Sequence, residues 1–224
     1  MCSCIKVKLY AFGTHPDQPV KKELWYTAGK RMLEKDGGMV IVDVLFVLLS
    51  ALWIGEFLMK RGKKNAESSS SEKRSFVWIL CTISLAIVSS IIFSHFHLFV
   101  FNETLFTQLL GLILYGCGIG LRYWGIKELG RFFSRNVIVE RKVDLVSSGP
   151  YRLLRHPLYT GLLLTLIGLP IYIGTWGGIV LSFLLLVPAL LYRIRIEERM
   201  LYASVGETYY EWGKERYRLL PFIY

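Results

Sequence analysis

Two short stretches of this chain hold residues whose types and spacing suit chemistry. "GPYRLLRHPLYTG" at 149–161 sets Arg152, Arg155 and His156 at the threshold of a leucine-rich run. "YRIRIEERML" at 192–201 sets Arg193 and Glu197 four apart, with Arg195 and Glu198 beside them. The sequence offers no Ser/His/Asp arrangement, no cysteine nucleophile and no metal-ligand spacing, so no metal is expected. A charged set without a nucleophile suits transfer between two bound ligands, where positioning and electrostatics supply the rate. Taken singly, the first stretch reads as interfacial anchoring. The second reads as surface salt bridging, worth about 0.2–1 kcal/mol per exposed pair. Only a fold that joins them makes a site.

The elements that must position them are apolar. The chain has 224 residues, 53% of them hydrophobic, a mean hydropathy of +0.42 and a formal charge of +10. Apolar runs occupy 39–59, 76–94, about 104–124 and 158–194, and runs of about 18 or more residues imply transmembrane helices. The last is too long for one span. It is broken at Gly174-Thr175-Trp176-Gly177-Gly178, a turn-forming cluster with an interfacial tryptophan. The expected fold is therefore an all-α integral membrane protein of about five transmembrane helices, with a cytosolic loop and a C-terminal helical segment closing a pocket.

Charge gives the orientation. The 27 Lys and Arg residues fall in 1–38, 60–75, 122–155 and from Arg193 onward, with none between spans two and three or at 174–178. Alternating basic and uncharged loops predict a cytosolic 60–75 loop, 122–157 loop and C-terminus, with the N-terminus outside. Because the basic residues track the loops, they point to anionic lipid rather than nucleic acid. The 174–178 turn makes spans four and five antiparallel neighbours, so 155–159 and 193–198 meet at one cytosolic level. Pro157 is placed to open span four, presenting Arg155 and His156 at a helix end that favours anions. Tyr151, Arg155 and Tyr159 share a face if that helix extends far enough back.

Other features are read more plainly. Gly116-Cys117-Gly118-Ile119-Gly120 has the spacing of a nucleotide loop but lies inside an apolar span. Gly116 and Gly120 are expected to form a small-residue packing face that would also allow a dimer. Glycines make room for ligands too, so Gly118 is kept as a cofactor-lining candidate. Cys81 and Cys117 are expected to be buried small hydrophobes, and Cys2 and Cys4 form an isolated C-x-C. Asp43 and Glu56 are placed at the interface without chemistry. Residues 62–75 read as a flexible Ser-rich linker. The basic residues of 1–38 contradict the topology, so 1–38 is expected to be an extension upstream of the working protein.

A cofactor suits the converging charges. S-adenosyl-L-methionine carries a carboxylate that suits His or Arg and an ammonium that suits Glu. A carboxylate acceptor is already ionised at neutral pH and needs an arginine to aim it rather than a base.

"GPYRLLRHPLYTGLLL", "YRIRIEERML" and "GETYYEWGKERYRLLPFIY", preceded by "RYWGIKELGRFF", together resemble the isoprenylcysteine carboxyl methyltransferase family. The likeness covers about 105–224, the expected catalytic region, whereas 39–104 matches only as two generic spans with their Ser-rich loop. It implies a membrane enzyme that uses S-adenosyl-L-methionine to methylate the carboxylate of an isoprenylated cysteine or similar lipid-linked acid at the cytosolic face. By position, His156 and Tyr159 would contact the cofactor, and Glu197 would take its amino end with Glu198 in support. Arg155 and Arg193 are candidates for orienting the acceptor. The compact length resembles prokaryotic members, which implies a plasma-membrane location and leaves a lipid or small isoprenoid acid open as acceptor. Phospholipid headgroup N-methylation, an NADPH-dependent reductase resembling the sterol reductases, and a non-enzymatic scaffold are the alternatives.

Overall fold

The computed structural model describes residues 37–59, 70–130 and 145–220. Residues 41–224 form one compact unit. Of the residues before it only 37–40 are described, as the first turn of a helix. Residues 1–36 of the expected extension, Cys2 and Cys4 among them, and most of the Ser-rich linker lie outside the described residues.

Among the described residues six α-helices follow one another: α1 (Gly37–Met59), α2 (Ser70–His95), α3 (Leu105–Leu129), α4 (Pro157–Ile173), α5 (Trp176–Val205) and α6 (Glu207–Lys214). A 3-10 turn over Gly149–Arg152 precedes α4. Four of the described helices are long and apolar enough to cross a membrane, namely α1, α2, α3 and α5. The remaining expected span, span four, is α4, which has only 17 residues, a length of about 25 Å. Several boundaries differ from expectation, and α5 runs past 194 to Val205. α2 starts at Ser70, inside the expected linker, and α3 runs on to Leu129.

α4 is short because protein, not lipid, surrounds it. Leu162, Leu163 and Leu166 pack with Ile79 of α2 and with Leu186 and Leu190 of α5. Leu169 packs with Tyr115 and Ile119 of α3, against which Phe46, Leu49 and Trp53 of α1 also rest. The outer faces stay apolar and exposed, as at Val44, Val47 and Leu48 of α1 and Val77, Trp78 and Leu85 of α2. Such a surface is stable against lipid and unstable against water. Cys81 and Cys117 belong to it. Both are exposed rather than buried, since the apolar surroundings read from the sequence are the lipid side.

Glycine fixes the closest helix pair, but not the glycines expected. Gly111, Gly118 and Gly125 recur every seven residues along α3 and face α4. A Cβ on Gly118 would sit 2.5 Å from the Gly161 carbonyl oxygen and 2.6 Å from the Thr165 amide nitrogen. One on Gly168 of α4 would sit 2.5 Å from the Tyr115 amide nitrogen. Backbones that approach this closely exclude side chains and ligands alike. The small face predicted for Gly116 and Gly120 is not this seam: nothing lies within 4 Å of Gly120, and Gly116 meets only the end of the Leu49 side chain at 3.4 Å.

The two ends of the bundle are closed differently. At one, α4 ends at Gly174, whose φ of 80° suits glycine, and Thr175 completes the turn. α5 then begins at Trp176, so Gly177 and Gly178 are helical rather than part of the break. The α2–α3 connection docks there through Phe101 N–H to the Gly174 carbonyl (2.9 Å) and Trp176 N–H to the Phe99 carbonyl (3.0 Å). At the other end, the segment after α6 runs beside residues 153–155. Arg155 N–H donates to the Tyr217 carbonyl (2.7 Å) and Tyr217 N–H to the Leu153 carbonyl (3.0 Å).

Candidate functional site

Pro157 opens α4 as its sequence position predicts, with His156 as the residue before the helix. Tyr151 and Arg155 therefore do not share a helical face with Tyr159, because the chain turns through a 3-10 element and a bend first. The α4–α5 hairpin nevertheless brings the two charged stretches together. The Tyr159 hydroxyl donates to Glu197 Oε2 at 2.6 Å and accepts from Arg193 Nε at 3.3 Å. The buried His156 ring lies between two carboxylates, with Nδ1 3.8 Å from Glu197 Oε1 and Nε2 3.5 Å from Glu198 Oε1. His156, Tyr159, Arg193, Glu197 and Glu198 thus form one connected cluster.

The arginines are separated by their partners. Arg155 Nε donates to the carbonyls of Gly213 and Arg216, both at 3.0 Å, and its Nη1 reaches Glu198 Oε1 at 3.3 Å. It clasps the segment after α6 to the start of α4. Arg193 is almost fully buried, and its Nη1 donates to the Ser75 hydroxyl of α2 at 2.6 Å. Arg193 therefore stands behind Tyr159 and positions it. Arg152 is exposed, consistent with an interfacial cation.

Several contributors escape a reading of the sequence. Glu56, placed at the interface, is 3% exposed and pairs with Arg122 of α3 through two bonds of 3.0 and 2.6 Å. Arg122 also donates to the Leu158 carbonyl in the first turn of α4 (3.2 Å). A charge inside each of two apolar runs was the available signal, since buried ions at membrane depth need partners. Asp43 accepts from the Tyr172 hydroxyl at 2.5 Å, at the other end of α4. Arg218 reaches Glu198 Oε2 at 3.1 Å, and the Thr160 hydroxyl donates to the Leu219 carbonyl at 2.6 Å. The chain after α6 is therefore a wall of the cluster.

Two phenols border it. Burial, with the Glu197 charge adding to it against Arg122, pushes the Tyr151 pKa above its usual value. Burial and the charges of Glu198 and Glu197 do the same to Tyr209. Both remain protonated donors at neutral pH. Gly118 is a correction. Its face is filled by Gly161 and Thr165 of α4, which leaves no room for a cofactor.

Side chains of this kind, gathered at one end of a bundle of apolar helices and met by the segment after α6, define a polytopic membrane protein with a charged side-chain cluster. The comparisons are more specific: residues 109–203 match the model of the Isoprenylcysteine carboxyl methyltransferase (ICMT) family. A probable protein-S-isoprenylcysteine O-methyltransferase of Oryza sativa subsp. indica is 30% identical over 124 residues, 54% of this chain and 65% of the rice protein. The protein-S-isoprenylcysteine O-methyltransferase of Schizosaccharomyces pombe is 30% identical over 105 residues, 46% of this chain and 44% of the yeast protein. The uncharacterized protein YpbQ of Bacillus subtilis is 30% identical over 81 residues, 36% of this chain and 48% of the bacterial protein. The chain spans about half to two thirds of the length of these relatives. Every residue of the cluster contributed by α4 and α5 falls inside the matched region.

Proposed function

We propose that this chain is a membrane methyltransferase that uses S-adenosyl-L-methionine to O-methylate the carboxylate of an isoprenylated cysteine or a similar lipid-linked acid at the cytosolic face. The supporting observation is the convergence of His156, Tyr159, Glu197 and Glu198 within the region that matches this family's model. The donor set fits the cofactor: two carboxylates suit an ammonium, and a histidine and a phenol beside them complete a polar lining. S-adenosyl-L-methionine, when bound, supplies an electrophilic methyl group on a sulfonium.

The remaining work belongs to the chain. Glu197 and Glu198 hold the amino end of the cofactor, His156 and Tyr159 line it, and the tie from Tyr159 to Glu197 fixes one carboxylate in place. Arg193, braced by Ser75, keeps the Tyr159 hydroxyl oriented and adds positive potential where an acceptor carboxylate would lie. Arg155 closes the segment after α6 over the site and excludes water. No general base is required of the protein, because the acceptor oxygen is an anion at neutral pH. The rate then rests on alignment and on a preorganised field.

Calorimetric titration of the detergent-purified full chain with S-adenosylhomocysteine tests the reading. Binding should fall at least tenfold in Glu197→Gln and in His156→Ala, with the helical circular dichroism unchanged. Unaltered affinity in both variants would refute the site. Labelled methyl transfer to an N-acylated prenylcysteine should follow; label appearing only in phospholipid headgroups would replace the acceptor with an amine.

A further inference from the structure

A second charged feature borders Glu198, and neither His156 nor Tyr159 lines it. A cavity of about 500 Å³ opens between the end of α5 and α6, lined by Arg195, Arg199 and Tyr202 of α5 and by Tyr209, Tyr210 and Lys214 of α6, with Arg155, Glu198 and Arg218 along its inner edge. Five cations thus face one carboxylate. Three are already engaged: Arg155 and Arg218 with Glu198, and Lys214 with Glu211 at 2.7 Å. Arg195 and Arg199 are exposed and make no hydrogen bond or ion pair with a described residue. They stand four apart in one helix and so share a face.

One residue of the lining also carries an unsatisfied donor. Tyr209 is 5% exposed, and its hydroxyl has no hydrogen-bond partner among the described residues. A buried hydroxyl left so costs about 1–3 kcal/mol unless a ligand or water meets it. Two free guanidinium groups and one phenol call for an anion with several acceptor oxygens.

Depth identifies which anion. α5 begins at Trp176, directly after the turn, and has 30 residues. A hydrocarbon core needs about 20 of them, which carries α5 out of the apolar layer near Arg195. Arg195 and Arg199 therefore stand at headgroup level. Tyr202 and Tyr210, 49% and 54% exposed, stand there too, as interfacial tyrosines do.

We propose that the cavity between α5 and α6 binds the headgroup phosphate of an anionic phospholipid, held by Arg195 and Arg199 with the Tyr209 hydroxyl as a third donor. A zwitterionic lipid fits less well, since its ammonium would meet the same arginines. The assignment does not depend on methyl transfer.

Native mass spectrometry of the delipidated full chain in detergent tests it, with phosphatidylglycerol, phosphatidylcholine and glycerol 3-phosphate as probes. One phosphatidylglycerol should bind tightly and phosphatidylcholine about fivefold more weakly, by the loss of one favourable charge interaction. Each arginine should contribute about fivefold, so R195Q/R199Q should weaken phosphatidylglycerol roughly 25-fold with its thermal melt unchanged. Y209F should weaken it to a lesser degree. Equal binding of both lipids, or phosphatidylglycerol binding untouched in R195Q/R199Q, would overturn the proposal. Glycerol 3-phosphate binding as tightly as the lipid would make this a soluble-phosphate site. Displacement of the lipid by S-adenosylhomocysteine would assign the cavity to the methyl donor instead. Either result overturns the lipid assignment.

Discussion

Within five residues of α3 the sequence places three glycines that look alike and that the structure treats differently, so alanine at two of them makes a controlled experiment. In Gly118→Ala the new Cβ would lie 2.5 Å from the Gly161 carbonyl oxygen. A carbon–oxygen contact settles at about 3.3 Å, so α3 and α4 must part by about 0.8 Å there. The obstacles include Gly161 and Thr165 backbone atoms, which no rotamer change relieves. In Gly120→Ala nothing lies within 4 Å. Both variants gain the same helix propensity, up to about 1 kcal/mol, so that gain cancels between them. What remains is the overpacking cost, about 1–3 kcal/mol. In a chain of this size that corresponds to a difference in Tm of roughly 2–12 °C. Thermal unfolding of the two detergent-purified variants, followed by circular dichroism, reads it directly. Equal melting temperatures, or a lower one for Gly120→Ala, would refute the seam. The same pair decides Gly118's cofactor role: if the seam is right, S-adenosylhomocysteine affinity falls only as far as instability carries it.

Other expected outcomes follow from the buried contacts. Glu56→Gln strands Arg122 and should cost about 3–5 kcal/mol in a thermal or denaturant melt, and Glu56→Leu with Arg122→Met should recover most of it. Arg155→Ala removes the clasp on Gly213 and Arg216, so amide exchange over 213–219 should quicken while α1 to α3 stay protected. Tyr159→Phe deletes the bond to Glu197 and should weaken S-adenosylhomocysteine binding about tenfold, measured by calorimetry. Tyr151 and Tyr209 have pKa values raised by folding. Their unfolded forms lose a proton near pH 10 while the folded forms keep it. Stability should therefore hold below about pH 10 and fall as pH rises toward the folded values, a fall reduced in Tyr151→Phe and Tyr209→Phe melts.

The features legible in the sequence are those fixed by local pattern. Apolar run length shows the spans, Pro157 opens α4 where its ring chemistry predicts, and the Gly174–Thr175 turn makes α4 and α5 antiparallel. The meeting of His156 and Tyr159 with Glu197 and Glu198 follows from that hairpin alone. What the sequence conceals depends on which neighbour a helix face meets. Gly111, Gly118 and Gly125 repeat every seven residues, a weaker signal to the eye than three glycines in five. Glu56 and Arg122 are 66 positions apart, and only packing of α1 on α3 makes them partners. Ser75, inside a stretch read as linker, gains its role because α2 starts early and lies along α5. Tyr209 looks like one of several interfacial tyrosines until burial strands its hydroxyl.

The two closures of the bundle have a mechanical consequence. At the Gly174 end, α4 and α5 are joined by a two-residue turn and stitched by main-chain bonds to the loop at Phe99 and Phe101. At the opposite end they touch through Tyr159, His156, Glu197 and Glu198, bonds whose partners a charged guest can replace one for one. The pair is built like tongs, riveted at the uncharged end and sprung at the charged one. Exchangeable polar contacts between α4 and α5 thus lie at the charged end, where the proposed ligand would arrive, and giving them up leaves the Gly174 end joined.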